Sequence, residues 1–273
     1  MIKNVNSYLS NIPQLPKIVI ELESFRKADS KSSKQLANII KNDLELHSLI
    51  LKVMDFDIFY FNEKPRSIQN FVIVTNIEFV STLALSLAII KTIKSNLFSY
   101  AVTMDDFLYS NTLAMRLVDL WIGKISKNLK NELLLPAFLQ DISKPIISLI
   151  INENKLTEQF LKELSDSHTI SEVEKQFLGL FASRISANIL KNWELSYNII
   201  FPIAFSDDLT NCPLTFKRKA LILNVLKIVC NIREPFKESL IKKVVSKLDL
   251  YKLETKPFLE ACEEIKGSKV KNI

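Results

Sequence analysis

Apolar residues recur along this chain mostly at helical spacing. Ile18, Leu22 and Phe25 make one stripe over Lys17–Lys27, with Pro16 placed for the first turn. Leu36, Ile39 and Ile40 share a face of a helix through Lys41, opened by Ser32 and Gln35 as a capping box. Leu46, Leu49, Ile50 and Val53 mark Leu44–Met54 behind a cap at Asn42 or Asp43. Ser67–Val74 and Ile77–Ile93 predict two more helices. The second is apolar nearly all round, as a helix at the centre of a bundle is. The β-branched run Phe71–Thr75 has neither turn glycines nor an alternating partner, so it reads as helix rather than strand.

A hinge is expected at Asn96–Thr103, followed by one long helix over Met104–Lys127. Leu133–Ile151 comes next, almost wholly apolar but with Gln140, Asp141, Ser143, Lys144 and Pro145 in its middle. Pro145 kinks a helix unless it stands in the first turn. A break just before it would place the polar residues on the break. Leu156–Leu164 is amphipathic. Ser171 and Glu174 then read as the capping box of a helix through Phe177, Phe181, Ile185 and Ile189 to Trp193. Tyr197–Phe205, Phe216–Ile232, Phe236–Leu248 and Pro257–Lys266 complete the expected helices.

Composition sharpens this into an all-α fold. Glycine occurs 3 times in 273 residues, at positions too far apart for a phosphate-binding loop or a dinucleotide fingerprint. The expected organisation is an N-terminal helical bundle over residues 1–98, packed on a second helical domain over residues 99–273. The formal net charge of +6 is spread along the chain. Glutamates interleave the lysines of the C-terminal end, so that end reads as a solvated face and nucleic acid is an unlikely partner on charge alone. Three cysteines at unpaired spacing argue against a disulfide framework. The start carries no apolar leader, and no clean apolar run of about 18 residues is evident. Membrane insertion is therefore not expected, and the cytoplasm is the natural location.

Candidate chemistry is sparse. A metal site needs convergent His, Cys, Asp or Glu ligands. Only His47 and His168 are present, His47 among aliphatics and His168 in a polar loop. Cys230 reads as a packed thiol and Cys212 as a more exposed one, neither with a histidine partner. A buried carboxylate is costly unless paired or bound to metal. Asp141 is thus the first candidate site residue, and also the most isolated acid. A helix cap, or a salt bridge to Lys144 or Arg184, is its expected role. Asp207 and Asp208 are the only other suggestive acidic pair.

Several segments together resemble the HDOD domain family, bacterial relatives of the HD-domain metal-dependent phosphohydrolases. Asn11–Phe25, NIPQLPKIVIELESF, resembles the family's opening with its two prolines. Asn38–Leu46 and Ile50–Phe59 resemble the two stretches that follow, with Asp55 where asparagine is usual. Ser67–Leu85 resembles its next helix pair, with Asn76 at a glycine position. Asn111 and Thr112 align with a His-Ser helix opening. Ala137–Lys144, AFLQDISK, aligns with the HD segment, Gln140 replacing the histidine and Asp141 retained. Gly179–Trp193 places Ala182 at another histidine position.

The resemblance spans roughly residues 10–206 and implies a degenerate HD-like bundle without a working metal centre. It further implies bacterial signal transduction, with motility or stress regulation as the expected setting, by a non-enzymatic protein that needs no cofactor. Its partner would be a signalling protein met in trans. A cryptic phosphohydrolase or nucleotide-binding protein is the alternative. The expected binding surface is the groove between the two bundles, lined by Asp55, Asn111, Gln140, Asp141, Lys144 and Arg184.

Overall fold

The structure, a computed structural model, describes residues 5–270 apart from Asn62, Ser167 and His168. The loop histidine of the sequence reading therefore lies outside the described residues. Sixteen α-helices and two 3₁₀ turns form among those described, with no strand. The fold is all-α, as the glycine count and the helical stripes predict.

α1 (Val5–Leu9) leads into α2 (Lys17–Lys27), for which Pro16 serves as the extended cap residue rather than as part of the first turn. α3 (Ser33–Lys41) opens on the expected capping box, Ser32 and Gln35 each satisfying the other's backbone N–H. α4 (Leu44–Met54) starts at Asp43, whose carboxylate accepts from Leu46 N at 2.9 Å. α5 (Ile68–Thr75) follows, capped by Ser67. α6 (Ile77–Ile90) stands at the centre: every residue from Phe79 to Ile90 is buried. It packs on α2, α4 and α5.

Beyond a 3₁₀ turn at Phe98–Tyr100, α7 (Met104–Trp121) opens on a second capping box, Thr103 with Asp106. It is shorter than the helix expected through Lys127, because Ile122–Lys124 tightens into 3₁₀ and Ser126 caps a new helix. That helix is α8 (Lys127–Leu139), which carries Pro136 and packs on both α6 and α7. Residues 140–143 then form a turn, and α9 (Lys144–Glu153) begins with Pro145 in its first turn, where a missing N–H breaks no helical bond. The segment Lys127–Glu153, taken across the break, is long and apolar enough to cross a membrane, contrary to the sequence expectation. Its most apolar window is 94% buried inside the protein, the position of a core element.

α10 (Thr157–Asp166) and α11 (Ile170–Leu178) come next. The expected cap at Ser171 is corrected: Thr169 caps α11 through Glu172 N, which frees Glu174 to face inward. The single helix expected through Trp193 also divides. Gly179 takes a left-handed conformation (φ 78°) that ends α11, and α12 (Ala182–Asn192) starts afresh. α13 (Tyr197–Ala204), α14 (Leu214–Val229), α15 (Glu238–Leu250) and α16 (Thr255–Val270) complete the chain. Phe236, expected in a helix, sits in the loop before α15 with φ 63°. α16 folds back on α7, where Trp121 stacks edge-on against Phe258. One continuous apolar core runs from Val5 to Ile265.

Candidate functional site

The turn between α8 and α9 is where the core becomes polar. Gln140, Asp141, Ser143 and Lys144 are all buried there. The backbone turn is held by Ile142 N donating to Leu139 O at 3.1 Å and Lys144 N to Asp141 O at 2.9 Å. Ser143 anchors it to α12: its Oγ donates to Ala182 O at 3.1 Å, and Ser186 Oγ donates to Ser143 Oγ at 2.9 Å.

From this turn a chain of alternating charges extends through the interior. Lys144 Nζ lies 2.7 Å from Glu174 Oε1 and 3.7 Å from Asp141 Oδ1. Lys227 Nζ, from α14, lies 3.7 Å from the same Asp141 oxygen and 2.6 Å from Asp207 Oδ2. The order is Glu174, Lys144, Asp141, Lys227, Asp207, each side chain less than one-tenth exposed. Tyr100 closes one end, its hydroxyl donating to Glu174 Oε1 at 2.6 Å with its ring 5.3 Å from Lys144 Nζ. Three carboxylates surround two ammonium groups, so Asp141 is not the isolated acid the sequence suggests.

Burial alone would strip the charges from this chain; neighbours reverse that. Desolvation pulls Lys144 down, but Asp141 and Glu174 outweigh it and hold the ammonium above its ordinary range. Lys227 behaves alike, raised by Asp207 and Asp141 against the cost of burial. Burial works to raise Asp207, yet Lys227 outweighs it and takes the carboxyl below the usual value. Burial, then Glu174, pushes the Tyr100 hydroxyl well up, so it stays a donor. Two acceptors keep spare capacity: Glu174 Oε2 has no hydrogen-bond partner and Asp141 Oδ1 has only its ammonium neighbours at 3.7 Å.

A cavity of about 910 Å³ opens above the chain, walled by α10, α11, α14, α15 and the loop Asn231–Lys237. Of the six residues expected to line a groove, Asp141 and Lys144 border it. Gln140 is buried next to them with its side-chain oxygen unpartnered. Asn111 is buried on α7, and Arg184 turns away to Asp208 at 3.2 Å and to the face of Phe205. Asp55 lies on the surface, paired with Lys64 at 2.7 Å. The cavity therefore lies within the second half of the molecule rather than between the two expected bundles. Cys212, expected to be exposed, is buried, as is Cys230.

Glu174 and Lys227 were hidden from sequence reasoning for identifiable reasons. Glu174 sits at the spacing of a capping box, which absorbed it. Lys227 falls in an apolar helix beyond the family-like segment, where a lone lysine ordinarily reaches solvent.

The arrangement does not suit a divalent ion. The space among the carboxylates is taken by ammonium groups, which repel a cation. Among the described residues no group of three His, Cys, Asp or Glu side chains is placed to hold one.

Solved structures share this fold at low identity. An HDOD domain protein from Geobacter sulfurreducens superposes with a TM-score of 0.64 at 15% identity, over 97% of this chain and 96% of that one. A protein from Shewanella amazonensis SB2B, provisionally named a phosphohydrolase, gives 0.64 at 16% identity over 97% and 94%. One from Marinobacter aquaeolei VT8, provisionally named a signal transduction protein, gives 0.63 at 13% identity over 98% and 61%. These likenesses include α14–α16, so the helices that carry Lys227 and the cavity rim belong to the shared architecture. No curated protein matches the sequence. The HDOD domain family matches residues 12–209, almost three-quarters of the chain and nearly the span its sequence resemblance covers; the chain belongs to that family.

Proposed function

We propose that this protein is a non-enzymatic regulator in bacterial signal transduction, acting in the cytoplasm by binding a signalling protein in trans. The observation that carries the reading is the closed alternation of Glu174, Lys144, Asp141, Lys227 and Asp207. Metal-dependent ester hydrolysis needs a cation to activate water and steady the developing charge. Here the ammonium groups of Lys144 and Lys227 stand beside Asp141, and Gln140 and Ala182 offer no imidazole. What the fold retains is a rigid all-helical frame able to present a surface to a partner.

The test is a phosphomonoesterase and phosphodiesterase assay with added Mg²⁺, Mn²⁺, Fe²⁺ or Ni²⁺, on wild type and Asp141→Asn. Equal background rates are expected. Metal-dependent turnover that Asp141→Asn abolishes would overturn the reading. Affinity capture from native cells checks the other half: a stable protein partner is expected, and a chain that emerges alone speaks against action in trans.

A further inference from the structure

The cavity above the ion-pair chain has two ends of opposite character. Its mouth carries Lys175, Arg233, Lys237, Lys243 and Lys247 against two acids, Glu172 and Glu234. One of those acids is already committed, Glu234 lying 2.7 Å from Lys237. Lys243 and Arg233 have no ion-pair partner among the described residues, and Lys247 reaches only the amide oxygen of Asn224, at 3.5 Å. Lys247 is accordingly held below the ordinary lysine range, by burial first and then by the like charge of Lys243, against a partial offset from Glu172. Unpaired cations crowded at one rim call for an anion.

The floor is the reverse. Two ammonium groups face three carboxylates there, leaving a residual negative charge. Glu174 Oε2 is fully buried with no donor, and Asp141 Oδ1 has none within hydrogen-bond distance. A buried carboxylate oxygen without a donor is costly. Both residues line the cavity, so a donor bound at its floor would lie next to them. A simple anion would satisfy the mouth and be repelled at the floor. A simple cation would do the opposite.

We propose that this cavity binds a small zwitterion, a phosphorylated amine, with its phosphate among Lys243, Lys247 and Arg233 and its ammonium group against Glu174 and Asp141. The volume, about 910 Å³, lies within the ordinary range of small-molecule sites and admits a ligand as large as an amino-sugar phosphate. Much of the site comes from beyond residue 209, since α14 supplies Lys227 and α15 supplies Lys243 and Lys247. The inference deepens the regulatory reading and rests on it for its meaning: the ligand is sensed, not consumed.

Calorimetric titration with glucosamine 6-phosphate, glucose 6-phosphate and inorganic phosphate tests it. Glucosamine 6-phosphate is expected to bind about ten-fold tighter than glucose 6-phosphate, the step one charge-assisted hydrogen bond supplies. Glu174→Gln should erase that difference. The rim variant Lys243→Glu/Lys247→Glu, at positions outside the apolar core, should weaken both sugar phosphates ten-fold or more. Absence of binding by either sugar phosphate, equal affinities for the two, or binding that survives the double rim variant would each overturn the proposal. Free phosphate released during the titration would instead refute the non-enzymatic reading while leaving the site standing.

Discussion

Two buried segments handle polar atoms in opposite ways. α6 buries Ser81, Thr82 and Ser86, and each hydroxyl is satisfied by the helix itself. Ser81 and Thr82 donate to Glu78 O at 3.2 and 2.8 Å, and Ser86 donates to Thr82 O at 2.8 Å. The α8–α9 turn buries Asp141, Ser143 and Lys144, and their partners come from α11, α12 and α14, between 30 and 86 residues away for the charged ones. Local satisfaction makes α6 an autonomous core rod. Satisfaction at a distance makes the turn a junction, stable only when three other helices are docked. The difference marks α6 as scaffold and the turn as the place where a ligand or a docking helix could alter the molecule.

The strongest way to break that comparison is to remove one cation from the junction. Lys227→Met leaves Asp207 buried beside Asp141 without its ammonium, and is expected to cost about 3–5 kcal/mol in urea denaturation. Leu83→Ala in α6 is expected to cost about 2–5 kcal/mol through the cavity it leaves. Rescue separates two losses of similar size: Asp207→Asn should recover stability in the Lys227→Met background and none in the Leu83→Ala background. A Lys227→Met loss below about 1 kcal/mol would mean that the ion-pair chain does not hold the junction.

Acid sharpens the same contrast. Asp207 has its carboxyl lowered in the folded state against a reference of 3.8, burial being outweighed chiefly by Lys227. Its contribution is present above the unfolded value and disappears as pH falls through the folded one. The raised Lys144 and Lys227 work from the other side: their contribution holds below the ordinary lysine value and is lost only as pH rises through the higher folded values. Wild-type stability should thus fall steeply below about pH 4. Asp207→Asn should begin lower at neutral pH and fall less steeply. Leu83→Ala should run parallel to wild type across the same range, since it removes only apolar volume. Parallel curves for all three proteins would remove Asp207 from the account.

The same contrast explains what was legible in the sequence. The capping box at Ser32, the stripe of α2 and the all-apolar α6 are short-range signals, and the helices they imply are present. The break before Pro145 was legible too, because a proline in the first turn is itself a local rule. The ion-pair chain was not. Asp141 and Lys144 are neighbours along one turn, but Glu174 and Lys227 join them only once α11 and α14 have packed. Splits at Gly179 and at Ile122–Lys124 were missed because a continuous apolar stripe hides a tight turn that keeps its register.

Asn76 gives the smallest test, and it bears on the scaffold side. It stands where the family resemblance expects glycine, yet its φ of 165° is extended backbone that any residue adopts. What the position does is cap α6: Asn76 Oδ1 accepts from Phe79 N at 2.7 Å. Asn76→Ala should therefore cost about 1 kcal/mol, and Asn76→Gly only a few tenths, in urea denaturation. Because the cap is local, neither change should alter the pH dependence set by Asp207, nor the affinity of the cavity for a sugar phosphate. An Asn76→Ala variant that lost ligand binding while keeping its stability would tie α6 to the junction and erase the division between scaffold and site.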